Sequence, residues 1–450
     1  MTQFDTIVRG GNVVGADAVV PADIAIVDAA IVAIAPDLAG TAGSEIDARG
    51  LHVFPGAIDI HVHFNEPGRT DWEGWTSGAA ASAAGGTTAV AEMPLNANPP
   101  TLDGESFDQK RAAAAAASVV DFALWGGLTP DSLATMDELA ARGVIGFKAF
   151  MSASGTSEFR AADDATLLAG MHTAARLGLP VAVHAENDQL TSAYAAQARA
   201  AGRAAMRDYL HSRPAVAETE AISRAIHFAA EAGCTLHIVH VSTGRGVAII
   251  ADARARGLDV TAETCPHYLV FDEEDAVRLG AVAKCAPPLR TRDEVDALWQ
   301  SLSRGDIQIV ASDHSPAPPA MKVGDDFFQI WGGISGCQSL LPVLLDAGHT
   351  AHGLPLPLLA SLLAMAPAKR LRLARKGRLA PGYDADLVLV DLSARPALRE
   401  SDLHYRHRQS PFVGMPAARV VRTLRRGETI AREGRAVAAS PGRLITPEST

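Results

Sequence analysis

The 450-residue chain has no apolar run of the ~18 residues that a membrane-crossing helix needs, so no span is expected. Cysteine is scarce: Cys234, Cys265, Cys285 and Cys337 are the only four, and no two form a CxxC pair. They read as reduced thiols in a cytoplasmic protein rather than as a disulfide scaffold. Positive charge is in deficit, with 40 Lys and Arg against 51 Asp and Glu and a net charge of -11. No Lys/Arg run of the kind that grips nucleic acid occurs, so neither nucleic acid nor membrane is an expected partner. The opening MTQFDTIVRGGNVV lacks the basic segment and apolar segment of a secretory leader and reads as the start of a strand pair. The hydrophobic fraction is 48%, and the length suffices for one large domain and a smaller one.

From about Pro55 to Pro316 one theme repeats: a short apolar, β-rich run ends in polar residues, and a helix-like stretch follows. The runs are Ala57–His63, Thr87–Met93, Val119–Gly126, Val144–Phe150, Pro180–Glu186, Thr235–Val241, Asp259–Thr264 and Ile307–Asp313. Between them lie Asp131–Arg142, Asp164–Leu177, Glu218–Ala232 and Arg292–Ser303, and the Ala-rich stretches at 79–84 and 112–117 read as small-residue helix surfaces. Apolar strands alternating with amphipathic helices predict parallel strands with crossover helices, here an α/β fold of the (β/α)8 or TIM-barrel type. The active site of such a barrel lies at the C-terminal ends of its strands, where the polar residues fall. Residues 1–53 and those from about 377 onward alternate instead like short antiparallel strands. The expected organisation is a barrel over 54–370 with a small β-sandwich built from both chain ends, 1–53 and 371–450. After Ser440 no periodicity remains, and a disordered tail is expected.

Asp59-Ile60-His61-Val62-His63 ends the first barrel run. Side chains alternate along a strand, so His61 and His63 point to one face, where a metal can bind both. Later strand ends supply Lys148, His184, His240 and Asp313. A lysine at the end of an apolar strand is costly to bury unless paired or chemically changed. Carboxylated by CO2, Lys148 would become N6-carboxylysine, an anionic ligand able to bridge two ions. The set His61, His63, Lys148, His184, His240 and Asp313 then accommodates two divalent metal ions. Zinc is the default for a His-rich set, and cobalt, manganese or iron fit the same ligands. His237 lies on the opposite strand face from His240 and reads as structural. His267 and His314 are candidates for hydrogen bonding behind the ligands. His52, His172, His211, His227, His349, His352, His404 and His407 read as surface or packing residues.

The chain resembles the cyclic-amidohydrolase branch of the amidohydrolase superfamily, and within it the allantoinases. The resemblance spans essentially the whole sequence. It is carried by Glu66-Pro67-Gly68-Arg69, Trp72-Glu73-Gly74, Glu92-Met93-Pro94-Leu95-Asn96, Gly146-Phe147-Lys148 and His184-Ala185-Glu186-Asn187, and further on by Arg213-Pro214, Thr219-Glu220, Cys265-Pro266-His267-Tyr268, Lys284-Cys285-Ala286-Pro287-Pro288, Ser312-Asp313-His314-Ser315-Pro316 and Trp331-Gly332-Gly333-Ile334. Dihydroorotases are similar but carry arginine two residues after the second histidine, to grip a substrate carboxylate; Asn65 stands there. Hydantoinases and dihydropyrimidinases place tyrosine five residues after the bridging lysine; Ala153 stands there. They also lack the Glu66–Arg69 and Trp331–Ile334 stretches. The resemblance implies hydrolysis of allantoin, a neutral ring with a ureido arm, to allantoate, with hydantoinase or dihydroorotase activity as the alternatives. A metal-free scaffold relative is a further alternative, against which the intact ligand set speaks. A homotetramer or homodimer is the family expectation.

The chemistry expected is attack by a hydroxide bridging the two metals, which depress the pKa of bound water and polarise the carbonyl. Asp313 would act as base and then as acid toward the leaving nitrogen. Substrate would be held mainly by backbone groups near Ala286, Ser315 and Gly332, with Asn96 a possible polar contact. Arg69 and Trp72 either close over the ureido arm or form a loop ion pair and a packing aromatic.

Overall fold

The computed structural model of the chain describes residues 3–437 and 440–448. Eight parallel strand segments form the barrel. They are Ala57–Val62, Thr87–Glu92, Asp121–Leu124 continued by Gly126–Gly127, Phe147–Phe150, Val181–His184, Leu236–Ile238, Val260–Thr264 and Ile309–Val310. Each pairs in parallel with the next. The ring closes where Val62 bridges His314 and the His63 N–H donates to the His314 carbonyl at 2.8 Å. These strands are buried on both faces, which is why they read as near-continuous apolar runs.

Helices cover the outside, with boundaries set by local chemistry. Asp164–Leu177 begins where Asp163 accepts from the Thr166 N–H at 2.8 Å, and ends at Gly178 in the left-handed conformation (φ 65°). Gly104–Ala117 begins where Asp103 caps Ser106 reciprocally. Arg292–Arg304 buries Val295, Leu298, Trp299 and Leu302, one face of the helix at a spacing of three and four. No helix among the described residues is long and apolar enough to cross a membrane.

Both chain ends meet in a second sheet. Leu387–Asp391 pairs antiparallel with His52–Pro55, joining the N-terminal strands Gln3–Val14, Val19–Val27, Ala30–Ala35 and Thr41–Asp47 to the C-terminal strands Arg419–Arg425, Glu428–Arg432 and Arg435–Ala436. Its own core gathers Val8, Ile24, Ile26, Val53, Leu387 and Leu424. The chain after Ser440 differs from expectation. Gly442 N–H donates to the Ser118 carbonyl at 2.7 Å, Phe122 N–H to Arg443, and Ile445 N–H to Phe122, so residues 442–445 lie along the barrel strand Asp121–Leu124. Order here comes from backbone pairing to a strand with free hydrogen-bonding groups, which hydrophobic periodicity does not report.

Candidate active site

The C-terminal strand ends open into a cavity of about 330 Å³, lined among others by His61, His63, His184, His240 and Asp313. The backbone there is unusual. Asn65, His240 and Asp313 all adopt positive φ, of 65°, 40° and 45°. Non-glycine residues in that region are uncommon and concentrate at functional sites, where the surrounding fold over-determines them.

His61, His63 and Asp313 offer ligand atoms that all lie within 4.8 Å of one another. His61 Nε2 is 3.3 Å and His63 Nε2 3.5 Å from the same Asp313 oxygen. A second pair stands beside them, with His184 Nδ1 3.1 Å from His240 Nε2 and the His240 ring 5.4 Å from that of His61. The orientation of these rings is fixed from behind. His61 Nδ1–H donates to Glu263 at 2.8 Å, His63 Nδ1–H to the Leu95 carbonyl at 3.0 Å, and His184 Nε2–H to Glu186 at 2.8 Å. Each bond leaves the other ring nitrogen, with its lone pair, facing the cluster, the arrangement that metal-binding imidazoles adopt.

Burial shapes the charges. Burial acts to raise Asp313, but His61 and His63 outweigh it and hold the carboxyl at about 2. Glu263 and Glu186 behave alike: burial pushes up, the histidines and Arg213 pull down, and both stay ionised. Lys148 has no such partner. Its amine is fully buried, makes no hydrogen bond, and burial lowers it to about 8. It sits 5.0 Å from the centre of the Phe150 ring, which stacks on His184.

Asn96, Ala286, Ser315 and Gly332 all line the cavity. Arg69 and Trp72 do not: Arg69 donates to the Asn96 carbonyl at 2.6 Å, pairs with Glu158 and lies over the Trp72 ring, and Trp72 packs on Trp331. They brace the rim, as an ion pair and a packing aromatic. Asn65 is fully buried, off the cavity wall. Ala153 is on the wall and presents only a methyl group there. His237 donates and accepts between Thr261 and Glu263, away from the cavity. His314 joins loops, accepting from the Gly336 N–H at 3.1 Å. His267 is buried with both ring nitrogens unpartnered, and burial lowers it to about 4.

Two carboxylates central to this geometry, Glu263 and Glu186, were absent from the expected site. Glu263 binds His61, His237 and the His240 N–H at once. Its signal in the sequence is a glutamate inside the otherwise uncharged strand Val260–Thr264, which calls for buried partners.

The profile of the Amidohydrolase family matches residues 52–430. An allantoinase of Rubrobacter xylanophilus is 63% identical over 449 residues, covering 100% of this chain and 99% of the relative. An allantoinase of Escherichia coli O1:K1 / APEC is 41% identical over 95% of both. Among solved structures, the L-hydantoinase (dihydropyrimidinase) of Arthrobacter aurescens superposes with a TM-score of 0.96 at 35% identity, covering 98% of this chain and 100% of that one. Proteins of this family generally hold divalent metal ions, and the histidine–aspartate group offers ligands for one. The chain belongs to the amidohydrolase family.

Proposed function

We propose that this enzyme hydrolyses the ring of allantoin to allantoate. The observation that carries the reading is 63% identity to an allantoinase along the whole chain, on a fold whose strand ends gather four imidazoles and a carboxylate. The superposition on hydantoinases favours a second reading, opening of a hydantoin without the ureido arm.

The residues present fit a pair of divalent ions. Three of the four imidazoles have one nitrogen engaged from behind and the other turned inward, Asp313 is ionised, and the orphaned Lys148 amine becomes an anionic oxygen donor if it adds CO2. His61, His63, Lys148, His184, His240 and Asp313 would hold the ions, with zinc matching the donor set and cobalt, manganese or iron compatible. When bound, such ions lower the pKa of water and polarise a carbonyl.

The chain's own groups do the rest. The cavity admits a small ring, and the walls at Ala286, Ser315 and Gly332 present it to the histidine cluster. Asp313 is placed to take a proton from the attacking water at its carboxylate oxygen and to return it to the ring nitrogen as the C–N bond breaks. The products of that step are a carboxylic acid and a neutral ureido nitrogen, with Asp313 again ionised; the new acid then releases its proton to solvent and leaves as the carboxylate, so atoms and charge balance. The test is turnover of metal-loaded protein on allantoin, hydantoin and dihydroorotate. Allantoin should be opened preferentially; opening of either other ring with allantoin untouched would overturn the reading.

A further inference from the structure

One cation of the cavity wall has no role in the chemistry above. Lys284 is 5% exposed and lines the cavity, yet no carboxylate pairs with it among the described residues. Its Nζ donates to the Ile330 carbonyl and lies 4.4 Å from the centre of the Tyr209 ring. Tyr209 in turn donates to the Cys285 carbonyl at 2.9 Å, which fixes the ring beneath the ammonium. An ammonium has three donors. One is used, and the aromatic face satisfies the charge but accepts no full hydrogen bond.

The neighbouring cations differ. Arg213 is committed to Glu186, which its guanidinium meets from two nitrogens. Lys322 donates to the Gly333 carbonyl at 2.6 Å and to Ala281, off the cavity wall, and so pins the Trp331–Gly333 loop. Among the described residues, Lys284 is the cation on the cavity wall that no carboxylate neutralises, and its ammonium keeps spare donors. Burial of a charge with unused donors is costly, and a substrate acceptor relieves that cost.

We propose that Lys284 determines specificity for the open-chain arm of the substrate, donating to its ureido carbonyl. This rests on allantoin being the substrate. The ring carbonyl under attack must face the histidine cluster, and the second ring carbonyl, which hydantoin shares, falls to the Ala286, Ser315 and Gly332 wall that holds the ring, so the acceptor left for Lys284 is the arm's carbonyl. A ring without the arm has no atom to offer there.

The experiment compares the holoenzyme with Lys284→Met and Lys284→Arg, reading metal content, melting temperature, kcat and KM for allantoin, and the inhibition or turnover of hydantoin. Loss of a charge-assisted hydrogen bond predicts that Lys284→Met raises KM for allantoin by about 10-fold or more. Metal content and kcat should stay close to the parent, hydantoin should be handled unchanged, and Lys284→Arg should recover most of the KM. An unchanged KM would overturn the proposal. So would an equal loss toward hydantoin, or a fall in kcat that matches the KM effect, since these report a collapsed loop. A Lys284→Met protein that fails to fold leaves Lys284→Arg and Lys284→Gln to decide, the first expected to bind allantoin and the second to bind it weakly. If the parent itself leaves allantoin untouched, the functional reading fails first and the proposal with it.

Discussion

Glu263 shows how one side chain can organise a site from behind its histidines. It orients His61, anchors His237 and receives the His240 N–H, so three positions depend on its charge and shape. Glu263→Gln keeps the shape but removes the charge, and should weaken metal affinity by roughly 10–100-fold, with secondary structure intact by circular dichroism. Metal titration against a competing chelator measures this. Asp313→Asn tests a different property. It keeps an oxygen beside His61 and His63 but cannot take up a proton, so kcat should fall by about 10²-fold or more, with metal content only partly reduced. Lys148→Ala should abolish activity. If the proposed carboxylation of Lys148 holds, a small carboxylic acid supplied with metal should restore part of it, because the added carboxylate would take the place of the carbamate. A fully active Lys148→Ala protein would exclude that role.

At the scale of elements, the loop Trp331–Ile334 is held close against its neighbour. Gly333 has φ of +121°, and a Cβ there would lie 2.2 Å from the Ser315 carbonyl oxygen. Gly333→Ala must therefore push this loop away from Ser315, a strain of order 1–3 kcal/mol. Since Gly333 lies on the cavity wall, catalytic efficiency should fall sharply while the melting temperature moves by only a few degrees. The barrel was legible because buried parallel strands and capped helices leave strong periodic signals: Asp164–Leu177 runs between an Asp cap and a Gly stop, as its sequence indicates. The histidines were legible because strand alternation assigns each a face. What alternation cannot show is which residues meet across strands. Glu263 reaches His61 across 202 positions, and Lys284 reaches Ile330 across 46, so both roles appear only once the barrel closes. The docked residues 442–445 were illegible for a related reason, since their partner is backbone.

For the whole molecule, the question is what holds the barrel to the sheet made by the chain ends. Lys376 is almost fully buried and meets Asp121 on a barrel strand at 2.7 Å, Asp386 at 2.8 Å and Asp384 at 3.0 Å. Burial alone would lower the lysine, but Asp386, Asp121 and Asp384 outweigh it and raise it well above its ordinary value of 10.5. Its stabilisation is therefore fully present below pH 10.5 and is lost only as pH rises through the raised value. Arg426 also engages Asp121 and donates its N–H to Asp386 at 2.7 Å, but it cannot replace the ammonium at the centre of three carboxylates. Lys376→Met leaves buried carboxylates without their cation, a change that costs about 3–5 kcal/mol in comparable buried pairs. The loss should appear as a lower melting temperature at neutral pH. As pH falls, the stranded carboxylates take up protons in the folded variant more readily than in the parent, so the gap between the two should narrow toward pH 4. Denaturation across that range measures it; a gap that stays constant with pH would show that lost packing, not lost charge, destabilises the variant.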